Sequence, residues 1–238
     1  QGGMHTSIIT MDFGDYGHHG GGSYNTASMT ITNSLIANNH AGDIIGTAPG
    51  GTGDYCVNGG WGGGIFTNTA ITLVNTTITG NEAGDAEHLT SGCSRGGSGG
   101  GMAVFDGAIS MSNVTLHGNL RGYGHSYNGV GGGIAMFDGS VTLHNTILTG
   151  GNSSSCVTIG AGSLISQDYN LIMVNSCPIS GTTTHNLSSD PLLGTLGMYG
   201  GPTGVLPLQS NSPAIDAGDP VSFQATDQRG YHRPVDGN

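Results

Sequence analysis

Four glycine triplets, each followed at a nearly constant distance by an asparagine, constrain this chain more than any other feature. The triplets are Gly20-Gly21-Gly22, Gly62-Gly63-Gly64, Gly99-Gly100-Gly101 and Gly131-Gly132-Gly133. After each comes a short apolar run, a turn, and an alternating run that ends at Asn33, Asn75, Asn113 or Asn145. Six residues later three copies carry a second asparagine: Asn39, Asn81 and Asn119. The first asparagines are 42, 38 and 32 residues apart, because the stretch from the second asparagine to the next triplet shrinks from 22 to 17 to 11 residues. A unit of constant build therefore alternates with an insertion of variable length, which is the signature of stacked supersecondary units.

The constant unit reads as strand. Met29-Thr30-Ile31-Thr32, Ile71-Thr72-Leu73-Val74, Ile109-Ser110-Met111-Ser112 and Val141-Thr142-Leu143-His144 alternate with period two, as a half-buried strand does. Ile36, Ile78, Leu116 and Leu148 supply the next inward position. Asn and Gly at the joints suit corners with left-handed backbone. One copy cannot bury its apolar residues. Stacked copies can, each strand pairing in parallel with its equivalent about 4.8 Å away. The expectation is an all-β parallel β-helix in which Asn33, Asn75, Asn113 and Asn145 form a buried amide ladder.

With no linker in sight, residues 1–238 read as a single domain. Residues 1–19 form a partial first coil, 20–155 the regular repeats, and 156–238 irregular coils that finish the solenoid. In that last part, Asn186 to Leu193 and Pro213 to Ile215 are expected to add strands. The insertions at 40–61, 82–98 and 120–130 enter at one phase of the coil, so they are expected to project as loops from one side. Tyr55, Trp61, Arg95, Tyr123 and His125 are the candidate binding face there. The bland alternative is that these loops only cover the sheet.

The pattern GGGI…TL.N.TI.GN is followed by Asp190-Pro191-Leu192-Leu193-Gly194, Gly200-Gly201-Pro202-Thr203, Ser212-Pro213-Ala214-Ile215-Asp216-Ala217-Gly218-Asp219 and Thr226-Asp227-Gln228-Arg229-Gly230. In this the chain resembles the bacterial choice-of-anchor Q proteins, which are related to the repeats of polymorphic outer-membrane proteins. The resemblance implies a right-handed coil and a secreted or surface location. It carries no defined activity. Relatives continue past the Asp-Gln-Arg-Gly motif into a further strand and an anchor, which makes a processed or partial product the expectation here.

Charge narrows the partners. The chain has no lysine, four arginines and 15 acidic residues, for a net charge of -11. Nucleic acid and anionic membrane surfaces are bound through clustered Lys and Arg, so both are excluded as expectations. No run of apolar residues is long enough to span a bilayer, so membrane insertion is not expected. Cys56 and Cys93 each lie six residues before a triplet, so stacking brings them into bonding range. Cys156 and Cys177 are the natural second pair. Two disulfides imply an oxidising, extracellular setting.

Enzyme chemistry finds little footing. Lyases of acidic sugars need basic groups against the substrate, and the four arginines are scattered. Asp106 and Asp138 are stacked equivalents at roughly the carboxylate separation of a retaining glycosidase. Each nevertheless sits in a Phe-Asp-Gly turn, where Asp is an ordinary corner residue. Asp43, Asp54 and Asp85 are candidate oxygen ligands for calcium. The expectation is a non-enzymatic extracellular structural or adhesive surface protein. Its partner is a further copy of itself, joined end to end into a filament: the solenoid ends lack evident caps, and no lysine guards an edge. The alternative is a module that binds or cleaves cell-surface glycans through the loop face.

Overall fold

The computed structural model describes residues 18–46, 56–88, 93–173 and 177–233. Among them there is no helix. Three parallel sheets run along a common stack. The first joins Ser23–Asn25, Ile65–Thr67, Met102–Val104, Ile134–Met136 and Cys156–Thr158. The second joins Met29–Thr32, Ile71–Val74, Ala108–Ser112, Ser140–His144, Ser163–Gln167 and Ile179–Thr182. The third joins Leu35–Ala37, Thr77–Thr79, Thr115–His117, Ile147–Leu148 and Leu171–Ile172. Each strand pairs with its equivalent in the next coil, Met29 with Ile71, Ile71 with Ile109, Ile109 with Val141. The fold is a parallel β-helix, as the repeat requires.

The inward columns make one continuous core. Ile65, Met102, Ile134 and Cys156 of the first sheet, Leu73, Met111 and Leu143 of the second, and Ile78, Leu116 and Leu148 of the third are essentially inaccessible to water. Full burial of a side chain of this size is worth about 1.5–3 kcal/mol. The glycine triplets follow from the packing of successive coils. Gly62 has φ 72°. A Cβ on Gly63 would run into the Glu82 carbonyl of the same corner.

The first asparagines turn the corner as predicted: Asn33, Asn75, Asn113 and Asn145 have φ of 50°, 47°, 55° and 49°. The ladder expected of them is largely absent. Only Asn75 donates to a neighbour in the row, to Asn33 Oδ1 at 3.1 Å. The left-handed conformation points these amides away from the core, and Asn33 is exposed. The buried ladder is the other row. Asn39 Nδ2 donates to Asn81 Oδ1 at 2.8 Å, and Asn81 Nδ2 to Asn119 Oδ1 at 2.9 Å. Asn81 and Asn119 are wholly buried.

The insertions are not free loops. Ile44–Gly46 pairs with Ala86–His88, and Cys56–Asn58 with Cys93–Arg95, both in parallel. Gly124 and Tyr127 continue the two columns as single bridges. The insertions thus stack into a flange with a small interior of Ala41, Val57, Ala83, Ala86 and Ser94. Its neck is a column of glycines in which outgoing and returning segments alternate. Gly42 N donates to His18 O, Gly60 N to Gly42 O, Gly84 N to Gly60 O, Gly97 N to Gly84 O and Gly122 N to Gly97 O, all at 2.7–3.0 Å. A Cβ on Gly60 or Gly84 would strike the opposing backbone, so the neck closes only with glycine. Cys56–Cys93 bridges the flange with Cα atoms 4.3 Å apart, and Cys156–Cys177 closes the last coil at 5.6 Å.

The C-terminal part departs from expectation. Ile179–Thr182 is the last strand of the stack. Leu187 makes one further bridge to Leu171, and the chain then leaves the axis. Antiparallel bridges Leu193–Leu208 and Gly197–Val205 shape a small hairpin-like layer, and Pro213 to Ile215 lie in turns rather than strands. The chain runs back along the asparagine corner as a strap instead of adding coils. Asp219 N donates to Asn145 Oδ1 at 2.8 Å, and Asn145 Nδ2 to Ser222 O at 3.1 Å. Further along, Asn75 Nδ2 donates to Thr226 O at 2.9 Å and Thr77 Oγ1 to Gln228 Oε1 at 2.8 Å. Two of the corner amides, Asn145 and Asn75, are what hold the strap.

Candidate functional site

The flange collects part of the predicted binding face. Ala-Gly-Asp recurs at 41–43 and 83–85, and the two aspartates hold equivalent places. Asp43 Oδ1 accepts from Asp85 N at 2.7 Å, and Asp85 Oδ1 accepts from Tyr123 N at 2.6 Å. Each carboxylate therefore ties its coil to the next. His40 Nε2 lies 2.6 Å from Asp43 Oδ1, and its Nδ1 lies 3.5 Å from Glu82. Burial alone would lower the His40 pKa, but the Asp43 hydrogen bond and the charges of Asp43, Glu82 and Asp85 outweigh it and raise it. Asp43, Ile44, Ile45, Asp85, Glu87, Tyr123 and His125 border an open depression of about 440 Å³. Ile45 and Tyr123 stand out into solvent at its rim.

Other predicted residues lie elsewhere. Arg95 belongs to the second flange column and stacks its guanidinium on Tyr127, 5.2 Å from the ring centre. Tyr55 and Asp54 fall outside the described residues. Trp61 is not on the flange. It stacks on His19 at 5.1 Å, Phe105 at 5.5 Å and Phe137 at 4.5 Å, in a row that also holds Phe66 and Tyr24. The rings lie nearly parallel to one another, within 37°. Most of their faces are spent on each other; Tyr24, at the end of the row, meets only Phe66 and is 45% exposed. His19 Nδ1 accepts from Trp61 N at 2.9 Å, and burial, then the neighbouring His18, lowers its pKa to about 4.

The carboxylates considered for chemistry each accept a backbone hydrogen bond. Asp106 Oδ1 accepts from Gly107 N at 2.6 Å, and Asp138 Oδ1 from Ala161 N at 3.2 Å. For calcium, Asp43 and Asp85 already spend an oxygen each on backbone. Among the described residues no group of three His, Cys, Asp or Glu is arranged to hold a metal ion.

The last coil is built with unusual care. Asp168 and Tyr169 are adjacent non-glycine residues with φ of 75° and 56°. Asp168 accepts from His185 N at 2.7 Å and faces His185 Nδ1 at 2.8 Å, while Tyr169 stacks on the His185 ring at 4.5 Å. Burial would raise the Asp168 pKa, but its hydrogen bonds from His185 prevail and lower it. Ile179–Thr182 pairs with Ser163–Gln167 on one side, and among the described residues nothing pairs with its other edge. Ser180, Gly181 and Thr182 are exposed. This end was visible in the sequence only as irregular repeat, because its strands no longer follow a triplet.

The molecule so defined is a disulfide-bonded parallel β-solenoid with a flange and a lateral strap. Two disulfides are the mark of an oxidising compartment. Among the described residues no helix is long and apolar enough to cross a membrane. No family model, no curated protein and no solved structure matched the chain.

Proposed function

We propose that this chain is a non-enzymatic extracellular structural or adhesive protein whose solenoid associates end to end with further copies. The observation that carries the reading is the open edge at Ile179–Thr182. The following chain does not fold over it but turns along the flank to reach Asn145 and Asn75. An unpaired strand edge is a template for another strand. At the other end Met29, Ile31 and Ile36 are only partly buried, whereas their equivalents Ile71, Leu73 and Ile78 are inaccessible. A second copy would continue the second-sheet column, Met29 following Ile179, while in the third sheet the Leu187 bridge already lies over Leu171 and Ile172.

The test is sedimentation and negative-stain electron microscopy of the protein and of Ile179→Lys. Ile179 is partly buried, so a lysine there reaches solvent in the single molecule but would be trapped in a joint. Wild-type filaments or concentration-dependent oligomers that disappear in Ile179→Lys are expected. Monomers at every concentration would end this reading. A glycan-binding reading of the flange is the second one, favoured by Tyr123 standing exposed beside Asp43, Asp85 and His125. Loss of glycan binding in Tyr123→Ala would support it.

A further inference from the structure

The strap grips the asparagine corner at two places and bridges the coil between them. One clasp is at Asn145, where Asp219 and Ser222 bond the amide and Asp219 Oδ2 lies 3.1 Å from His144 Nε2. The other is at Asn75, where the Thr226 carbonyl and Arg233 Nη1 bond the amide, the latter at 2.9 Å. Asn113 stands between them in the row. It is the corner amide between the clasps, and the strap makes no hydrogen bond to it. Its Oδ1 accepts from Ser112 Oγ at 3.2 Å, and its Nδ2 has no partner among the described residues. With coils about 4.8 Å apart, the two clasps stand about 10 Å from each other. The span leaves a groove of about 840 Å³, floored by Asn113, Val114 and Thr115 and walled by Phe223 and Ile215 of the strap.

The chemistry of the groove selects among ligands. Its formal charges are two arginines, Arg229 and Arg233, against three aspartates, Asp216, Asp219 and Asp227. That balance disfavours an anion. A cation would find only one uncommitted carboxylate, Asp216. Asp227 is engaged by Arg229 through Nε at 2.8 Å and Nη2 at 2.6 Å. Asp219 is engaged by His144 and by the backbone N–H groups of Val221 and Ser222. What remains is the single carboxylate of Asp216, an uncharged amide, a threonine hydroxyl and apolar surface that includes Phe223, itself 38% exposed. A pyranose ring presents the complement: hydroxyls around its edge and an apolar C–H face.

We propose that this groove is a binding site for a neutral oligosaccharide. Asn113 Nδ2 donates to a sugar hydroxyl, and Phe223 packs against a ring face. The site is separate from the flange, while the far end of its lining reaches Tyr169 and Leu187 of the last coil.

The test is calorimetric titration with cellohexaose, xylohexaose, maltohexaose and chitohexaose. The variants are Asn113→Gly, which keeps the left-handed backbone while removing the amide, and Phe223→Ala. Thermal melts of both variants check that they are folded. Saturable binding of at least one sugar is expected, weakened about tenfold in each variant, the loss typical of one hydrogen-bonding or packing group, and unchanged in Tyr123→Ala. Absence of binding by all four sugars would overturn the proposal. So would binding that survives both groove variants, or that is lost in Tyr123→Ala, since it would then lie on the flange.

Discussion

Asn81 Nδ2 donates to Asn119 Oδ1 one coil away, at 2.9 Å, and both residues are sealed from water. The same nitrogen reaches Ile36 O at 2.9 Å, and Asn81 Oδ1 accepts from both Asn39 N and Asn39 Nδ2. One side chain therefore ties three coils. A carboxylate of the same shape could accept from Asn39 but could not donate to Asn119 or Ile36. Asn81→Asp is accordingly expected to destabilise at least as much as Asn81→Ala. Each should cost about 3 kcal/mol or more, because buried groups lose their partners. Urea unfolding at neutral pH is the measurement.

The aromatic row gives a prediction that separates packing from recognition. Trp61 stacks on rings from three coils, His19, Phe105 and Phe137. Trp61→Ala should lower stability by about 2 kcal/mol, less than for a fully buried tryptophan, and abolish the near-ultraviolet circular dichroism of the stack. Glycan binding, measured on the same variant, should not change.

His19 makes stability depend on pH. Its bond to Trp61 N requires Nδ1 as an acceptor, and its pKa is lowered from 6.5 to about 4 in the folded chain. For a base with a depressed folded value, the unfolded chain takes up the proton first. The stabilisation is present above about 6.5 and declines as pH falls from there toward about 4. His19→Phe keeps a ring in the row but cannot titrate. Its melting temperature should vary less with pH across that window than that of the parent.

The strap carries the opposite kind of group, acids held below their ordinary range. The backbone N–H groups of Val221 and Ser222 lower the Asp219 pKa, with His144 adding to them. Burial opposes a lowering at Asp227, but the Arg229 hydrogen bond wins. Stability from both is present above the ordinary carboxylate range and is lost as pH falls through their depressed folded values. Hydrogen exchange of residues 219–233 should therefore accelerate in acid before that of the coil strands does. In Asp219→Asn this acid dependence should shrink.

The flange disulfide makes a local prediction. Cys56 and Cys93 are 37 residues apart in sequence, and a loop of that size is stabilised by about 4 kcal/mol at most. The double variant Cys56→Ser with Cys93→Ser should lose that protection chiefly in the flange. Hydrogen exchange should rise at 56–58 and 93–95 while Leu73, Met111 and Leu143 stay protected.

What could be read from sequence tracks what repeats. The triplets, the corner asparagines and the alternating runs recur at one phase, so the parallel pairing and both cysteine pairs were legible. The flange was not, because its strands lie in insertions of unequal length with no triplet or corner asparagine beside them. The repeated Ala-Gly-Asp at 41–43 and 83–85 was the available signal. Trp61 was misplaced because a lone tryptophan beside a loop reads as exposed until the rings of neighbouring coils are seen against it. Asn39, Asn81 and Asn119 were noticed as a second row, yet which row is buried depends on the backbone torsion at the first.

Sequence alone determined the coil, since the same triplet, alternating run and corner asparagine recur in one order, which pairs each strand with its equivalent in the next unit. Tertiary structure alone decided where the strap lies and which amide it leaves free. Those contacts join residues 74 to 158 positions apart through single hydrogen bonds. No local pattern encodes a partner at that distance; it is selected only once the left-handed corners have turned their amides outward.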